Sequence, residues 1–335
     1  MGLRVRVAVL AAVTALSGGT AACSVTSAAV PGATSRPSAA ASHRLPAAAA
    51  LATPTPSAAP SRPPGPVLQV SGAPARVKAK GALLADAATG QVLWSRDPAT
   101  ERPMASVTKV MTALLVLQRN RLSEKIRVPK AAFKYAWHYG GETASLRPGD
   151  VLTARELLAA LLLPSGADAA YTLANAYGPG LSAFVARMNT TAAQLGLRDT
   201  HFTSPDGLPY PTEKSTYSTP YDLVQLGRIA MRYPAFRSIV DRGLYHLSKG
   251  PGHHAYWWDN TNALIFSYPG AVGIKDGYTD TAGHCLLFEA VRHGRALIGV
   301  VLGSPATGVA AGAQAATQML NWGFSLRTER QAGTG

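Results

Sequence analysis

The sequence is poor in cysteine and in acidic side chains. Two cysteines occur in 335 residues, Cys23 and Cys285. If Cys23 is removed or modified at the N-terminus, no internal disulfide can form, and the fold must rest on its core. Cys285 sits in the apolar run GHCLLFEAV and reads as a small buried hydrophobe, not as a nucleophile or ligand. Asp and Glu number 18 against 32 Lys and Arg, a net charge of +14. That balance suits an anionic neighbour, such as an acidic wall polymer, an anionic membrane or nucleic acid. The basic residues are scattered and not interleaved with aromatics. No helix-turn-helix, finger or single-strand-binding signature accompanies them, which argues against nucleic acid. HExxH is absent, and the adjacent His253 and His254 of GHHAYWW lack a ligand-spaced partner, so they read as a loop pair and not a metal site. Gly140 and Gly141 in HYGGE read as a turn, not a phosphate loop.

What is present begins with MGLRVR, a positive leader, followed by the short apolar core VAVLAAVTAL. This is the pattern of a secretory signal over residues 1–23, too short and too interrupted by glycine to span a bilayer. It points to a secreted, extracytoplasmic protein. Cys23 directly after TAA partly matches a lipobox, with Thr20 where leucine is usual. Acylation of Cys23 and ordinary cleavage nearby both stay open. An N-terminal lipid is the one membrane anchor the sequence offers. Residues 24–75 are dominated by Ala, Pro, Ser and Thr and cannot bury enough surface to offset ordering. They read as a disordered tether, with a reach of about 150 Å if extended.

The globular part is expected over residues 76–326, with a short disordered tail at 327–335. GALLADAATGQVLWSRD reads as two strands around ATG. MASVTKVMTALLVLQRN has apolar residues at helical spacing from about Ser106. LTARELLAALLLPSGADAAYTLANAYG reads as two helices broken at Pro164, and GLSAFVARMNTTAAQLGL as another that Gly196 could cap. STPYDLVQLGRIAMRYP predicts a helix with Ser218 or Thr219 as N-cap and Pro220 in its first turn. VGIKDGYT, GHCLLFEAVR and RALIGVVLG predict three strands, and GVAAGAQAATQMLNWGF a closing helix. Strands at both ends with helices between argue for an α+β fold whose sheet joins the two termini.

Three stretches bear on chemistry. Ser106 and Lys109 are three residues apart, which on a helix places them on one face. A serine hydroxyl attacks only when a base takes its proton, and a buried lysine can lose its own proton and serve. A helix start also offers backbone N–H groups to a developing oxyanion. The plain alternative is that Ser106 is an N-cap and Lys109 a solvated surface residue, although Val110, Met111, Leu114 and Leu115 surround the lysine. Ser165 follows Pro164 at a helix break and reads either as a cap or as a second hydroxyl for proton relay, while Asp168 suits the helix dipole. Lys275 lies in a strand-like run with Gly277 two residues on, where the backbone of another segment can approach closely.

Taken in order, Ser106-x-x-Lys109, Ser165-Gly and Lys275-x-Gly277 resemble the three active-site boxes of penicillin-binding proteins and serine β-lactamases. Ser165 lies 59 residues after Ser106, and Lys275 a further 110 after Ser165. The segments ETASLRPGDVLTARELLAALLLPSG, MNTTAAQLGLRDTHFTSPDGL and NTNALIFSYPGAVGIKDGYTDTAG narrow the resemblance to low-molecular-weight D-alanyl-D-alanine carboxypeptidases, from about Gly81 to about Trp322.

The fold this resemblance implies is a β-lactamase-like three-layer sandwich, with a mostly antiparallel five-stranded sheet, helices on both faces and a helical subdomain. The activity it implies is removal of the terminal D-Ala from peptidoglycan stem peptides through an acyl-enzyme on Ser106, with β-lactams acylating the same serine and no metal or organic cofactor. Lys109 would be the base, and Ser165 the relay. The N–H groups of Ser106 and Tyr278 would form the oxyanion hole, and Lys275, Asp276, Gly277, Tyr278 and Thr279 would line the substrate. The chain departs from the pattern at two positions. Ala167 stands where the second box usually has asparagine, a lost contact of about 1–3 kcal/mol. Asp276 stands where the third box usually has a hydroxyl, and an ionised Asp repels a substrate carboxylate unless it pairs with Lys275. The alternatives are a catalytically weakened muropeptide- or β-lactam-binding protein, or an endopeptidase or β-lactamase on the same scaffold.

Overall fold

The computed structural model describes residues 72–74, 76–305 and 310–326. The expected signal segment with Cys23, the tether up to residue 71 and the tail from residue 327 lie outside the described residues.

The ATG turn joins β1 (Gly81–Asp86) to β2 (Val92–Arg96). The three later strands are β3 (Ala271–Thr279), β4 (Gly283–Arg292) and β5 (Arg295–Ser304). They form one sheet in the order β2-β1-β5-β4-β3, with every neighbouring pair antiparallel. The first and last strands of the chain thus pair, Gly81 opposite Leu302 and Asp86 opposite Leu297, as the pattern of strands at both termini requires.

Side chains alternate across this sheet. Leu83, Ala85, Leu287, Ile298 and Val300 enter one core layer, and Ala82, Leu84, Leu286, Phe288 and Val301 enter the other. Both faces are covered, which is why the strands read as apolar runs rather than as alternation.

The helices that matter for the site are α1 (Lys109–Leu117), α2 (Lys130–His138), α3 (Ala154–Leu162), α4 (Ala167–Tyr177), α5 (Leu181–Gln194), α6 (Pro220–Ala230), α7 (Pro234–Val240) and α8 (Ala311–Ser325). Helix α8 covers one face of the sheet through Ala313, Ala316, Met319 and Leu320. Helix α6 lies on the other, where Gly227 lets it close onto Leu287 and Ile298. The buried α1 and the helices around it extend that second layer into a helical subdomain.

Local chemistry fixes the ends. Thr219, not Ser218, caps α6 by accepting the Asp222 N–H at 3.1 Å, and Pro220 follows it. Gly196 takes a left-handed φ of +75° just past α5.

Two expectations need correction. The α-helix starts at Lys109, and Ser106 lies one turn earlier in a 3₁₀ turn over Ala105–Thr108, where it caps nothing. The N-cap of α4 is Gly166 rather than Ser165. Sequence patterning also missed α2, α7 and three small ribbons, among them Leu244–Leu247 with Tyr256–Asp259.

Replacing Phe288 by alanine, in the wholly buried layer under α8, should cost about 3–5 kcal/mol. Urea unfolding of the variant checks this value.

Candidate active site

The 3₁₀ turn that carries Ser106 is pressed against β3, the edge strand of the sheet. Gly277 is the point of contact. A Cβ at Gly277 would stand 2.6 Å from the Ser106 amide nitrogen and 3.1 Å from the Ala105 side chain, so only glycine lets the strand approach this closely. Ala105, immediately before the serine, has a left-handed φ of +49°, and Ser165 has +62°. Non-glycine residues rarely hold such angles, and in folded proteins they cluster at functional sites.

Lys109 is the first residue of α1 and is 1% exposed. Its Nζ lies 2.9 Å from Ser106 Oγ and donates to the Asp206 carbonyl at 3.1 Å. The loop at 204–208 is itself tied down. Thr112 donates to the Pro205 carbonyl at 2.5 Å, Gly207 N–H donates to Ser204 Oγ at 2.9 Å, and Gly207 at φ +84° lies against Ala105. Burial brings the Lys109 amine down to about 8; Asp206 opposes this, the nearby Lys275 assists it, and Asp276 opposes it. The solvated-surface reading of Lys109 is therefore excluded, as is the capping role for Ser106.

Lys275, in the middle of β3, is also 1% exposed. Its Nζ donates to Asp276 Oδ1 at 2.6 Å, and Thr261 Oγ1 donates to the same oxygen at 2.7 Å. Thr261 also donates its N–H to the Leu163 carbonyl at 3.0 Å, with Oγ1 3.1 Å from that same oxygen. It thereby joins β3 to the corner between α3 and α4 that holds Ser165. Asp168 pins a second segment over that corner. Its Oδ1 accepts from Ala144 N–H at 2.9 Å, and its Oδ2 from Thr143 Oγ1 at 2.6 Å and Leu146 N–H at 3.0 Å. Ala167 is fully buried, and a Cβ at Gly141 would stand 2.8 Å from its side chain.

A groove of about 550 Å³ opens beside Gly277, lined among others by Glu142, Thr261, Asn262, Asp276, Tyr278 and His284. The Tyr278 hydroxyl donates to Asp280 at 3.0 Å, and its ring lies against His284. Thr279 sits apart from the groove. Its hydroxyl accepts the Ala282 N–H at 3.1 Å and closes the β3–β4 turn. His253 and His254 also lie off the groove, with His254 bonded to Asp150 at 3.0 Å. Cys285 is buried and its thiol is pushed up to about 12 by that burial, which keeps it unreactive. Sequence reasoning missed the Asp206 carbonyl and Thr261, and gave Asp168 only its dipole role.

The sequence profile described as D-alanyl-D-alanine carboxypeptidase matches residues 68–306. The chain belongs to that family. A D-alanyl-D-alanine carboxypeptidase of Streptomyces sp. (strain K15) is 38% identical over 262 residues, covering 75% of this chain and 88% of the relative. DacB2 of Mycobacterium tuberculosis is 36% identical over 253 residues, covering 75% and 84%. The crystal structure of the Streptomyces K15 DD-transpeptidase matches with a TM-score of 0.70 at 38% identity, over 75% of this chain and 98% of that one. The M. tuberculosis carboxypeptidase structure gives 0.68 at 35% identity, over 75% and 93%. The family's fold is the one expected from the three boxes, and its chemistry is that of a serine D-Ala-D-Ala carboxypeptidase of peptidoglycan.

Gly277→Ala forces the strand and the serine turn apart. D-Ala release should fall by about 100-fold, because a displacement on the order of 1 Å has that effect on a reacting pair. Thermal unfolding within a few degrees of wild type, measured alongside, distinguishes this from a loss of fold.

Proposed function

We propose that Ser106 is the nucleophile and Lys109 its base in hydrolysis of the terminal D-Ala-D-Ala bond of peptidoglycan stem peptides. The observation that carries this reading is a single pair. A lysine amine shielded from water stands 2.9 Å from a serine oxygen on a turn packed against Gly277, and Gly277 lines an open groove. Ser106 Oγ attacks the carbonyl of the penultimate D-Ala as Lys109 takes its proton. The N–H groups of Ser106 and Tyr278 receive the oxyanion. The C–N bond breaks, the proton passes to the departing amine with Ser165 as relay, and terminal D-Ala leaves. Water then attacks the Ser106 ester and releases the shortened peptide. A β-lactam ring opens on the same oxygen and stays attached as an ester. Lys275, Asp276 and Gly277 form the wall along which the substrate lies.

Peptidoglycan lies outside the cytoplasmic membrane, and family members act there. Among the described residues no helix is long and apolar enough to cross a membrane. Export by the N-terminal signal and a tether over residues 24–75 complete the proposed placement, with Cys23 either acylated or lost by cleavage nearby. The net charge of +14 favours residence beside an anionic wall.

Fluorescent penicillin should label the wild type and not Ser106→Ala, and the wild type should release D-Ala from an N-acyl-Lys-D-Ala-D-Ala peptide. Release by Ser106→Ala at the wild-type rate would remove the serine from the mechanism. Labelling without release would mark a binding protein.

The base must be neutral to act. With its amine at about 8, only about a tenth of Lys109 is neutral at pH 7. Acylation should therefore rise with pH, about tenfold from pH 6 to 7, and level off above about 8. Lys275→Met removes a positive neighbour that lowers Lys109, so the midpoint should move to higher pH. Stopped-flow acylation across pH 6–10 reads both.

A further inference from the structure

The groove beside Ser106 has a charge pattern of its own. Asp276 and Glu142 both line it, and its described lining includes no Lys or Arg. The nearest cation, Lys275, is 1% exposed and is bonded to Asp276 Oδ1 at 2.6 Å. Thr261 occupies the same oxygen from the other side. Asp276 itself stays 32% exposed toward the groove. Burial pushes its carboxyl up, but the Lys275 charge and hydrogen bond and the Thr261 hydrogen bond outweigh this and hold it below the usual range. A substrate carboxylate entering here meets a carboxylate, and the charge that could have received it is already paired and hidden.

A second feature of the lining is a donor left without an acceptor. Asn262 is wholly buried, and its Oδ1 accepts the Leu264 N–H at 3.0 Å. Its Nδ2 has no hydrogen-bond partner among the described residues. A buried donor left unpaired is costly, and a substrate oxygen would satisfy it, while the choice between a neutral and a charged substrate falls to Asp276 and Glu142.

We propose that this groove selects peptides whose leaving group carries an amide or amine, rather than a free carboxylate, next to the scissile bond, with Asp276 as the specificity-determining residue. The proposal rests on Ser106 being the nucleophile. The covalent step is unchanged. The Ser106 Oγ–carbon bond forms, the carbon–nitrogen bond breaks, the departing amine takes the serine proton, and water later restores the serine. What changes is which leaving group fits, an internal amide being accepted over a chain end.

The test uses two peptides, N-acyl-Lys-D-Ala-D-Ala as the free acid and as its C-terminal carboxamide, with D-Ala and D-alaninamide quantified by mass spectrometry. The wild type should cleave the amide with a kcat/KM about fivefold or more above the acid. Asp276→Asn keeps the shape and removes the charge. It should raise kcat/KM on the acid about tenfold more than on the amide, whose smaller gain reports only the easier deprotonation of Lys109, and Glu142→Gln should give a smaller gain in the same direction. Penicillin carries a carboxylate, so Asp276→Asn should also speed its labelling of Ser106. A wild-type preference for the acid, or an equal effect of Asp276→Asn on both peptides, overturns charge selection. The wild-type comparison decides alone if the variant does not fold. No labelling of Ser106 at any penicillin concentration, with neither peptide cleaved, overturns the nucleophile and the selection together. Labelling with a preference for the acid overturns only the selection.

Discussion

A lysine ammonium removed from water is the constraint around which this molecule is arranged. Burying an amine without partners disfavours its charged form strongly. Here the amine of Lys109 keeps two contacts, a serine hydroxyl at 2.9 Å and a backbone carbonyl at 3.1 Å. Those contacts come from two separate segments. The hydroxyl comes from the turn just before α1, and the carbonyl from a loop about a hundred residues later in the chain. The loop is held by Thr112 from the next turn of α1, so the helix that presents the amine also positions the group that receives it. Loosening any of the three would admit water and return the lysine to its ordinary basicity.

The sheet makes that convergence possible. Its two halves come from opposite ends of the globular part, and the helical stretch between them leaves from β2 and returns at β3. The serine turn stands at the start of that excursion, the Ser165 corner within it and Lys275 at its end. Edge position matters for β3, because an edge strand has one row of backbone groups without a strand partner. The serine turn lies against that edge at Gly277. Thr261 then ties the far side of the strand to the helix break at Leu163. The three boxes are thus neighbours because one strand touches one turn and is bonded to one corner.

Much of this was legible in residue order, and the parts that were not share a cause. Strands buried on both faces announce themselves as apolar runs, and GHCLLFEAVR and RALIGVVLG could be placed almost to the residue. Ser106 and Lys109 were found by spacing, but the helix start was set three residues early, because the left-handed Ala105 and the 3₁₀ turn leave no mark in the apolar pattern. Ser165 looked like a cap because serine commonly is one, yet at φ +62° it turns the chain, and Gly166 takes the capping position. The Asp206 carbonyl was invisible because any residue supplies a carbonyl. Thr261 was invisible because its role depends on two distant segments. Helix α2 was hidden by Phe133 and Trp137, which face outward and blur its amphipathic stripe. The strand Tyr256–Asp259 did leave a signal, buried Tyr256 and Trp258 alternating with exposed Trp257 and Asp259.

Position 276 links substrate charge to base strength. Lys275 lowers the proton affinity of Lys109, and Asp276, bonded to Lys275, raises it. The two act from nearly the same place with opposite sign, so much of their influence cancels and burial remains the largest cause of the lowered amine. A hydroxyl at 276, as the third box of the family leads one to expect, would leave the Lys275 charge unopposed. That charge would then both draw a carboxylate into the groove and press Lys109 further toward its neutral form. The aspartate removes both effects at once. With the proposed roles of Lys109 and Asp276, an enzyme with this residue gives up part of the electrostatic help to its base, and in return its groove no longer favours a chain end. Any explanation of why aspartate stands here has to account for both consequences, since no substitution at 276 changes one and leaves the other untouched.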